Sequence, residues 1–211
     1  MQWLAMDLHV HTVLSACAEE EMLPPLIVER AMELGLAAIA VTDHNSAENV
    51  EAVRDAAAGT GLVVMPGMEI QTREEVHLLA IFDTLEQALV VQDAVYGALP
   101  VESNRPEFFG WQLGVDARGD VMRTNDRLLQ TSTSFSVGEA TALVKDSGGL
   151  CLAAHVDRPA FSIISNLGFI PSDLPLDGIG LSRGAEPGRV LAAHSDLRRF
   201  GVACFSDAHR L

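Results

Sequence analysis

Residues 4–45 read LAMDLHVHTVLSACAEEEMLPPLIVERAMELGLAAIAVTDHN and contain the repeating unit on which the fold depends. The apolar runs near 4–9 and 37–42 predict two strands. Between them, residues 24–34 have the apolar spacing of an amphipathic helix, and Gly35 suits its end. A strand, a helix and a second strand in this order predict part of a parallel sheet wrapped by helices.

The same alternation continues along the rest of the chain and predicts an α/β fold. Seven strand signals favour a barrel over an open sheet. The further strands are expected near 62–69, 76–82, 149–154, 177–181 and 201–206. The further helices are expected near 47–58, 84–97, 136–146 and 186–198, with Gly59 and Gly148 as terminators.

One stretch, residues 99–135, has no clear period. Connections of this length in compact domains are usually lids or binding loops, and a partly disordered insert is the alternative. We therefore expect a single domain over residues 1–211 with one irregular insert. The insert's composition would suit a lid over a nucleotide-like substrate or a packed flap, because it combines Arg105, Arg118, Arg123 and Arg127 with Phe108, Phe109 and Trp111.

Composition favours a soluble, cytoplasmic protein. No apolar run approaches the ~20 residues that span a bilayer, and the first residues, MQWLAMDLH, lack the pattern of a signal peptide. Cys17, Cys151 and Cys204 are odd in number and widely separated, which fits a reducing compartment. We expect no membrane partner.

The charge balance favours a small substrate. The chain has 29 acidic and 14 basic residues, for a net charge of -15. A surface of that sign repels nucleic acid and anionic lipid, so stable binding of duplex nucleic acid is not expected. Bound divalent cations would offset part of the charge locally.

Six of the seven histidines stand at the ends of predicted strands. Strand ends converge on one rim of an α/β barrel, so these imidazoles would share a pocket and could hold cations. Any single one could instead be a hydrogen-bonded structural residue. The six are His9, His11, His44, His77, His155 and His209.

Carboxylates accompany these histidines. Glu69 is the natural bridge between two cations, because its two oxygens can bind one each, and Asp207 precedes His209 by two positions. The alternative for both is a turn or helix cap. Asp7 and Asp43 are expected to accept a histidine N–H or to hold a ligand loop.

The motifs DLHVHT, TDHN, GMEI, EVHLL, AAHVDR and SDAH, in this order from residue 7 to residue 209, resemble those of the polymerase-and-histidinol-phosphatase (PHP) superfamily. The resemblance implies a distorted (β/α)7 barrel that hydrolyses phosphoesters with three divalent metals, Zn, Mn or Fe. It implies a first metal held by His9, His11, Glu69 and Asp207, a second by Glu69, His77 and His155, and a third by His44 and His209.

The last ligand of the third metal is the open point. The family usually supplies an Asp or His shortly after the H-x-H pair, and Ala16 stands where many members have Asp. Counting back from Pro24 favours Glu19, with Glu20 and Cys17 as alternatives. The glutamates could instead only stabilise the N-terminus of the following helix.

We therefore expect a phosphatase or phosphodiesterase that uses a metal-activated water. Its substrate would be a small phosphorylated metabolite, a nucleotide or a short oligonucleotide. The residues expected to take part in catalysis are Glu69, His155 and Asp207. Arg158 is the first candidate for a phosphate clamp and Arg183 the second, although either could be only a surface ion-pairing residue.

Two alternatives come from other classes. One is a non-catalytic, metal-stabilised PHP module. The other is a metal-dependent amidohydrolase, whose barrels commonly bridge two metals with a carboxylated lysine. The single lysine, Lys145, lies on a predicted helix, which is the wrong place for a bridge.

The sequence stops two residues after His209, where the resemblance implies a further helix. A minimal barrel end and a truncated chain are the alternatives. In the second case an oligomer would cover the exposed edge.

Overall fold

A seven-stranded sheet curls until its first and last strands meet. The computed structural model describes residues 4–211, so residues 1–3 of the expected domain lie outside the described part. The strands are β1 (Met6–Val10), β2 (Ala38–Val41), β3 (Val63–Gln71), β4 (His77–Ile81), β5 (Leu113–Val115), β6 (Val121–Thr124), β7 (Leu150–Ala153), β8 (Gly178–Ser182) and β9 (Gly201–Phe205). The helices are α1 (Pro24–Glu33), α2 (Val50–Ala56), α3 (Leu85–Ala98), α4 (Pro106–Phe109), α5 (Val137–Asp146), α6 (Ile163–Leu167) and α7 (Pro187–Ala193), with a 3-10 turn at Ser195–Arg199.

The sheet order β1-β2-β3-β4-β7-β8-β9 and its closure confirm the predicted barrel. Just beyond β9, Ala208 pairs with Val10. His11 N donates to Ala208 O at 3.0 Å, and Ala208 N donates to His9 O at 3.2 Å. The barrel therefore closes beside the H-x-H pair.

All seven predicted strands of this sheet are present, and local sequence explains the helices between them. Capping boxes begin α3 at Thr84 and α5 at Ser136. Gly35, Gly59 and Gly148 have φ of 68°, 81° and 78°, so they end or follow helices in the left-handed conformation that glycine permits. The predicted helix 186–198 is interrupted, because His194 at φ -129° and ψ 82° is not helical.

The parallel pairing expected from the sequence does not extend to β4. This strand pairs antiparallel with both β3 and β7. The connection from β3 to β4, residues 72–76, is far shorter than the dozen or so residues of a parallel crossover. The N-terminal end of β4 therefore lies at the rim where the neighbouring strands end.

The insert 99–135 contains α4 and the hairpin of β5 and β6. Its polar side chains fix it to itself and to the barrel. Gln112 Nε2 donates to Asn125 O and Arg127 O, and Asn45 Nδ2 donates to Leu129 O at 2.7 Å. The elements were missed because none is longer than four residues.

Among residues 4–211, the longest helix is α3 with 14 residues, and no helix has the length and apolar character to cross a membrane. The apolar core lies inside the barrel and between the sheet and the helices. Met68, Ile70, Leu78 and Ala80 of β3 and β4 are fully buried in it. This packing fixes the rim on which the polar residues stand.

Candidate metal centre

Glu69 lies at the centre of the rim, near the end of β3, and is 1% exposed. Its Oε1 is 3.1 Å from His9 Nε2, 3.0 Å from His77 Nδ1 and 3.2 Å from His155 Nε2. Its Oε2 is 3.0 Å from His44 Nδ1. One carboxylate therefore contacts four imidazoles.

Asp207 completes the other side of the cluster. Its Oδ1 is 3.0 Å from His9 Nε2 and 3.1 Å from His11 Nε2. The same oxygen is 3.5 Å from His209 Nδ1, and His11 Nε2 is 3.5 Å from Glu69 Oε2. The structure thus brings all six strand-end histidines together with both predicted carboxylates.

Backbone pairing explains how distant residues reach one point. After β2 the chain continues beside β3: Glu69 N donates to Asp43 O at 3.0 Å, and Asn45 N donates to Glu69 O at 2.9 Å. This pairing sets His44 against Glu69. His77 joins them because β4 begins, rather than ends, at this rim.

Several of these residues have strained backbones. His155 has φ 29° and Asp207 has φ 53°, and Phe161 beside them has φ 55°. Non-glycine residues rarely adopt such angles, and they cluster at functional sites. The rim therefore holds its side chains at some conformational cost.

The buried polar atoms of the rim fit metal ligands. His44 Nδ1, both nitrogens of His77, His155 Nδ1 and Asp207 Oδ1 are buried without a hydrogen-bond partner. His44 and Asp207 have neighbours at 3.0 Å, but the angles do not suit hydrogen bonds. Atoms that share one ion at ~2.0–2.1 Å lie about this far apart. Imidazole and carboxylate donors suit Zn, Mn and Fe.

Three overlapping groups of donors have ligand atoms within 4.8 Å of one another. They share Glu69 or a histidine, as neighbouring ions in one cluster would require. The identity and number of the metals stay predictions. The groups are His9, His11 and Glu69; His44, Glu69 and His77; and His11, His44 and His209.

The structure does not bring Glu19 into any of these groups, and both Glu19 and Glu20 are exposed. Glu19 contributes its backbone N, which donates to His209 O at 2.8 Å. Cys17 is not in these groups either, but its Sγ lies 3.4 Å from His44 Nε2, at the edge of the cluster.

Both carboxylates stay ionised. Burial alone would raise the pKa of Glu69, but the His77 and His9 imidazoles outweigh burial and hold the pKa well below its usual range. At Asp207, burial alone would also raise the pKa, but contacts with His11 and His9 lower it. Two buried negative charges side by side make the cluster attractive to cations.

The thiol of Cys17 and its two histidine neighbours form a charged group. Burial would raise the pKa of Cys17, but hydrogen bonds from His209 and His44 lower it to about 7. Burial would lower the pKa of His44 and His209, but Cys17 and other acceptors raise these pKa values to about 10 and about 9.

Asp43 and Ser15 orient one of the histidines. Ser15 Oγ donates to Asp43 Oδ1 at 2.7 Å, so its oxygen accepts from His11 Nδ1 at 2.9 Å. This leaves the lone pair of His11 on Nε2, the atom that faces Asp207. Asp43 also accepts from Thr12 N at 2.7 Å and thereby holds the loop after β1.

Asp7 holds a segment that carries ligands, which is the second of the two roles expected for it. Its Oδ1 accepts from His9 N at 3.3 Å and from Ser206 N at 3.2 Å. These bonds tie the chain after β9 to β1, next to the donors that each segment carries.

Arg158 borders the cluster, whereas Arg183 and Lys145 do not. Arg158 Nη1 forms an ion pair with Asp207 Oδ2, and its side chain is 40% exposed. Arg183 is exposed and does not line the cleft over the cluster. Lys145, on α5, forms an ion pair with Asp177 at 2.7 Å and does not offer a bridge between metals.

The cluster opens into a cleft of about 850 Å³. Phe108 and Phe109 of the insert line it, and they are 71% and 40% exposed. Phe161 lines it too and stacks on His77 with ring centroids 4.8 Å apart. Sequence reasoning missed Phe161, because one aromatic residue in the loop after β7 carries no distinguishing signal.

The sequence matches the family described as PHP domain over residues 7–162. The chain belongs to the PHP domain family. The match includes five of the six motifs, from DLHVHT to AAHVDR, and confirms the resemblance seen in the sequence.

One curated relative is the 5'-3' exoribonuclease Rnm of Salmonella typhimurium, which is 32% identical over 80 residues. That match covers 36% of this chain and 26% of the relative. The chain therefore matches about a quarter of that protein's length.

Two solved structures share the fold. The lesion-specific endonuclease PfuEndoQ of Pyrococcus furiosus has a TM-score of 0.67 at 19% identity, over 98% of this chain and 48% of that one. A candidate metal-dependent phosphoesterase of Bifidobacterium adolescentis has a TM-score of 0.63 at 23% identity, over 99% of this chain and 89% of that one. At these identities the likeness shows the fold alone.

Proposed function

We propose that this chain is a metal-dependent phosphoesterase that hydrolyses a nucleotide or a short single-stranded oligonucleotide with a metal-activated water. The observation that carries the proposal is the position of Glu69, whose oxygens lie within 3.2 Å of four imidazole nitrogens. A carboxylate so placed can bind two cations, as two-metal hydrolytic sites require.

The donor sets that we propose are those that the family resemblance implies. Bound divalent ions would lower the pKa of a water and neutralise phosphoryl oxygens. The first set is His9, His11, Glu69 and Asp207; the second is Glu69, His77 and His155; the third contains His44 and His209.

The protein's own groups would bind and orient the phosphate. Arg158 is placed to donate to a phosphoryl oxygen, because it borders Asp207 and remains partly exposed to the cleft. Glu69 and Asp207 keep their charge at neutral pH, since the pKa of each is lowered. They would therefore hold the centre's geometry while substrate enters and product leaves.

The cleft favours an unpaired base as part of the substrate. Phe108, Phe109 and Phe161 offer exposed ring faces at its mouth. Stacking on such faces contributes ~1–3 kcal/mol per base and does not require a defined sequence. The net charge of -15 disfavours a long duplex.

The names of the relatives agree with a nucleic-acid substrate. Rnm is named an exoribonuclease, and endonuclease Q was crystallised with a 27-mer duplex that carries an abasic lesion. This chain matches about a quarter of the first protein and 48% of the second.

A substrate panel with metal-reconstituted protein tests the proposal. The panel contains mononucleotides, single-stranded RNA and DNA of a few nucleotides, a duplex, a sugar phosphate and a cyclic amide. We expect turnover of the nucleotides or short single strands. Glu69→Gln should lose this turnover, whereas the control Glu86→Gln, on the exposed face of α3, should retain it. Turnover of the amide alone would support an amidohydrolase, and no turnover at all would support a non-catalytic module.

A further inference from the structure

The loop after β1 carries a thiol at Cys17, one residue after Ala16, which stands where many family members have Asp. We propose that Cys17 is a thiolate ligand of the ion held by His44 and His209, and that it gives this one site a preference for Zn²⁺ over Mn²⁺. The inference rests on the proposed metal centre and adds a ligand and a metal preference to it.

The position of the sulfur is the first argument. Cys17 Sγ lies 3.4 Å from His44 Nε2. The donors of His11, His44 and His209 lie within 4.8 Å of one another on the same side of the cluster. The thiol is therefore placed beside a group of imidazoles that can already hold an ion.

The histidine tautomers are the second argument. His209 Nδ1 bonds to the backbone oxygen of Asp207 at 2.9 Å, so this nitrogen carries the proton and the lone pair lies on Nε2. His44 is 4% exposed, and its Nδ1, without a hydrogen-bond partner, faces Glu69. Its Nε2 has the thiol as its neighbour. His44 Nε2 thus lies 3.4 Å from the sulfur, and His209 Nε2 is free to bind an ion in the same imidazole group.

The loop that carries Cys17 is held in place, which is the third argument. Val13 N donates to Met22 O at 3.0 Å, and Ala18 N donates to Ser15 O at 2.8 Å. Gly110 of the insert presses on the loop so closely that an added Cβ would lie 2.4 Å from Ala16 O. The backbone on either side of Cys17 is therefore held by contacts within the loop and with the insert.

The donor set explains the metal preference. Two imidazoles and a thiolate form a soft set that suits tetrahedral Zn²⁺, whereas Mn²⁺ prefers carboxylate and water oxygen. The donor groups around Glu69 contain a carboxylate and lack sulfur. The cluster would therefore hold chemically different ions at its two ends.

Metal content and spectroscopy of the full chain test the proposal. Wild-type protein loaded with Zn²⁺ should hold about one ion per chain more than Cys17→Ala, because that site loses its thiolate. Cys17→Asp should restore the ion when Mn²⁺ is offered and reduce the preference for Zn²⁺. Loaded with Co²⁺, wild type should show thiolate-to-cobalt charge-transfer absorption, and Cys17→Ala should lack it.

Alkylation of the unmutated protein gives an answer that does not depend on how a variant folds. Iodoacetamide should modify Cys17 readily in chelator-treated protein and slowly after Zn²⁺ is added. The exposed Cys204 serves as the control and should react equally in both states. Equal metal content and an unchanged cobalt spectrum in Cys17→Ala, or alkylation of Cys17 that Zn²⁺ does not slow, would each overturn the proposal.

These results separate this inference from the proposed function. If the protein shows the cobalt–thiolate band but hydrolyses no phosphoester, Cys17 is a ligand and the proposed function is wrong. If the protein hydrolyses phosphoesters and Cys17→Ala does not change its metal content, the proposed function holds and Cys17 is not a ligand.

Discussion

Ser15 determines which nitrogen of His11 faces the cluster, although it is not itself a candidate ligand. Its hydroxyl must accept from His11 because its own proton goes to Asp43. It also accepts from the backbone N of His44 at 3.2 Å. One small side chain therefore positions two of the six histidines.

Replacing this hydroxyl should weaken metal binding. In Ser15→Ala, His11 loses the acceptor that fixes its tautomer, and we expect a loss of ~10–100-fold in metal affinity. Competition with a chromogenic chelator measures it. Ser165→Ala, at an exposed serine of α6, is the matched control. Equal affinities in the two variants would remove Ser15 from this role.

Arg158 should affect substrate binding more than turnover. Arg158→Ala removes the guanidinium that borders the cleft, so the KM for a nucleotide substrate should rise, by roughly tenfold if one charge-assisted hydrogen bond is lost. Arg158→Lys should recover part of the loss, because it keeps the charge without the planar fork. Arg183→Ala is the control, and unchanged kinetics in Arg158→Ala would contradict the assignment.

The sequence identified most of the site because its ligands stand at strand ends. His9, His44 and Glu69 each follow an apolar run, so their position is visible in one dimension. The choice between Glu19 and Cys17 was not visible, because counting residues along an irregular loop does not say which side chains point inward.

At the scale of elements, the direction of β4 is what the sequence could not give. The run HLLAI is buried throughout and reads the same for either direction. The short connection after β3 was the available signal. Likewise, α4 and the hairpin of β5 and β6 are too short to have a measurable period.

The tight pairing of β3 with its neighbours predicts a strong effect of one methyl group. A Cβ at Gly67 would lie 2.7 Å from Ala80 O and 3.1 Å from Val41 O, both backbone atoms in adjacent strands. Gly67→Ala should therefore destabilise the fold by roughly 1–3 kcal/mol.

Urea denaturation measures this effect, and α5 supplies the control. A Cβ at Gly138 meets nothing within 4 Å. Gly138→Ala should therefore stabilise the fold by about 0.5–1 kcal/mol, because alanine favours the helix. Equal stabilities for the two variants would show that β3 can shift more easily than its contacts indicate.

The net charge of -15 of the whole molecule includes the negative charges of Glu69 and Asp207 at the rim. The rim gathers two ionised, buried carboxylates, one of which pairs with Arg158. Divalent ions would neutralise this region and connect β1, β3, β4 and the chain after β9. Metal binding should therefore stabilise the entire barrel.

Metal removal tests this coupling. Dialysis against a chelator should lower the Tm, because ions at ~100 times their Kd stabilise a folded protein by about 2.7 kcal/mol. Zn²⁺ or Mn²⁺ should restore the Tm, and Mg²⁺ should restore less because it prefers oxygen ligands. A Tm that does not change between the two states would mean that the cluster carries no tightly bound ions.

The seam of the barrel has a consequence for biosynthesis. His9 and Asp207, which approach within 3.0 Å, are separated by almost the whole polypeptide. Residue 207 must therefore leave the ribosome before the two can meet. The complete donor set would therefore form late, after residue 207 has been synthesised, and metal supply would govern maturation of the protein rather than the first steps of its folding.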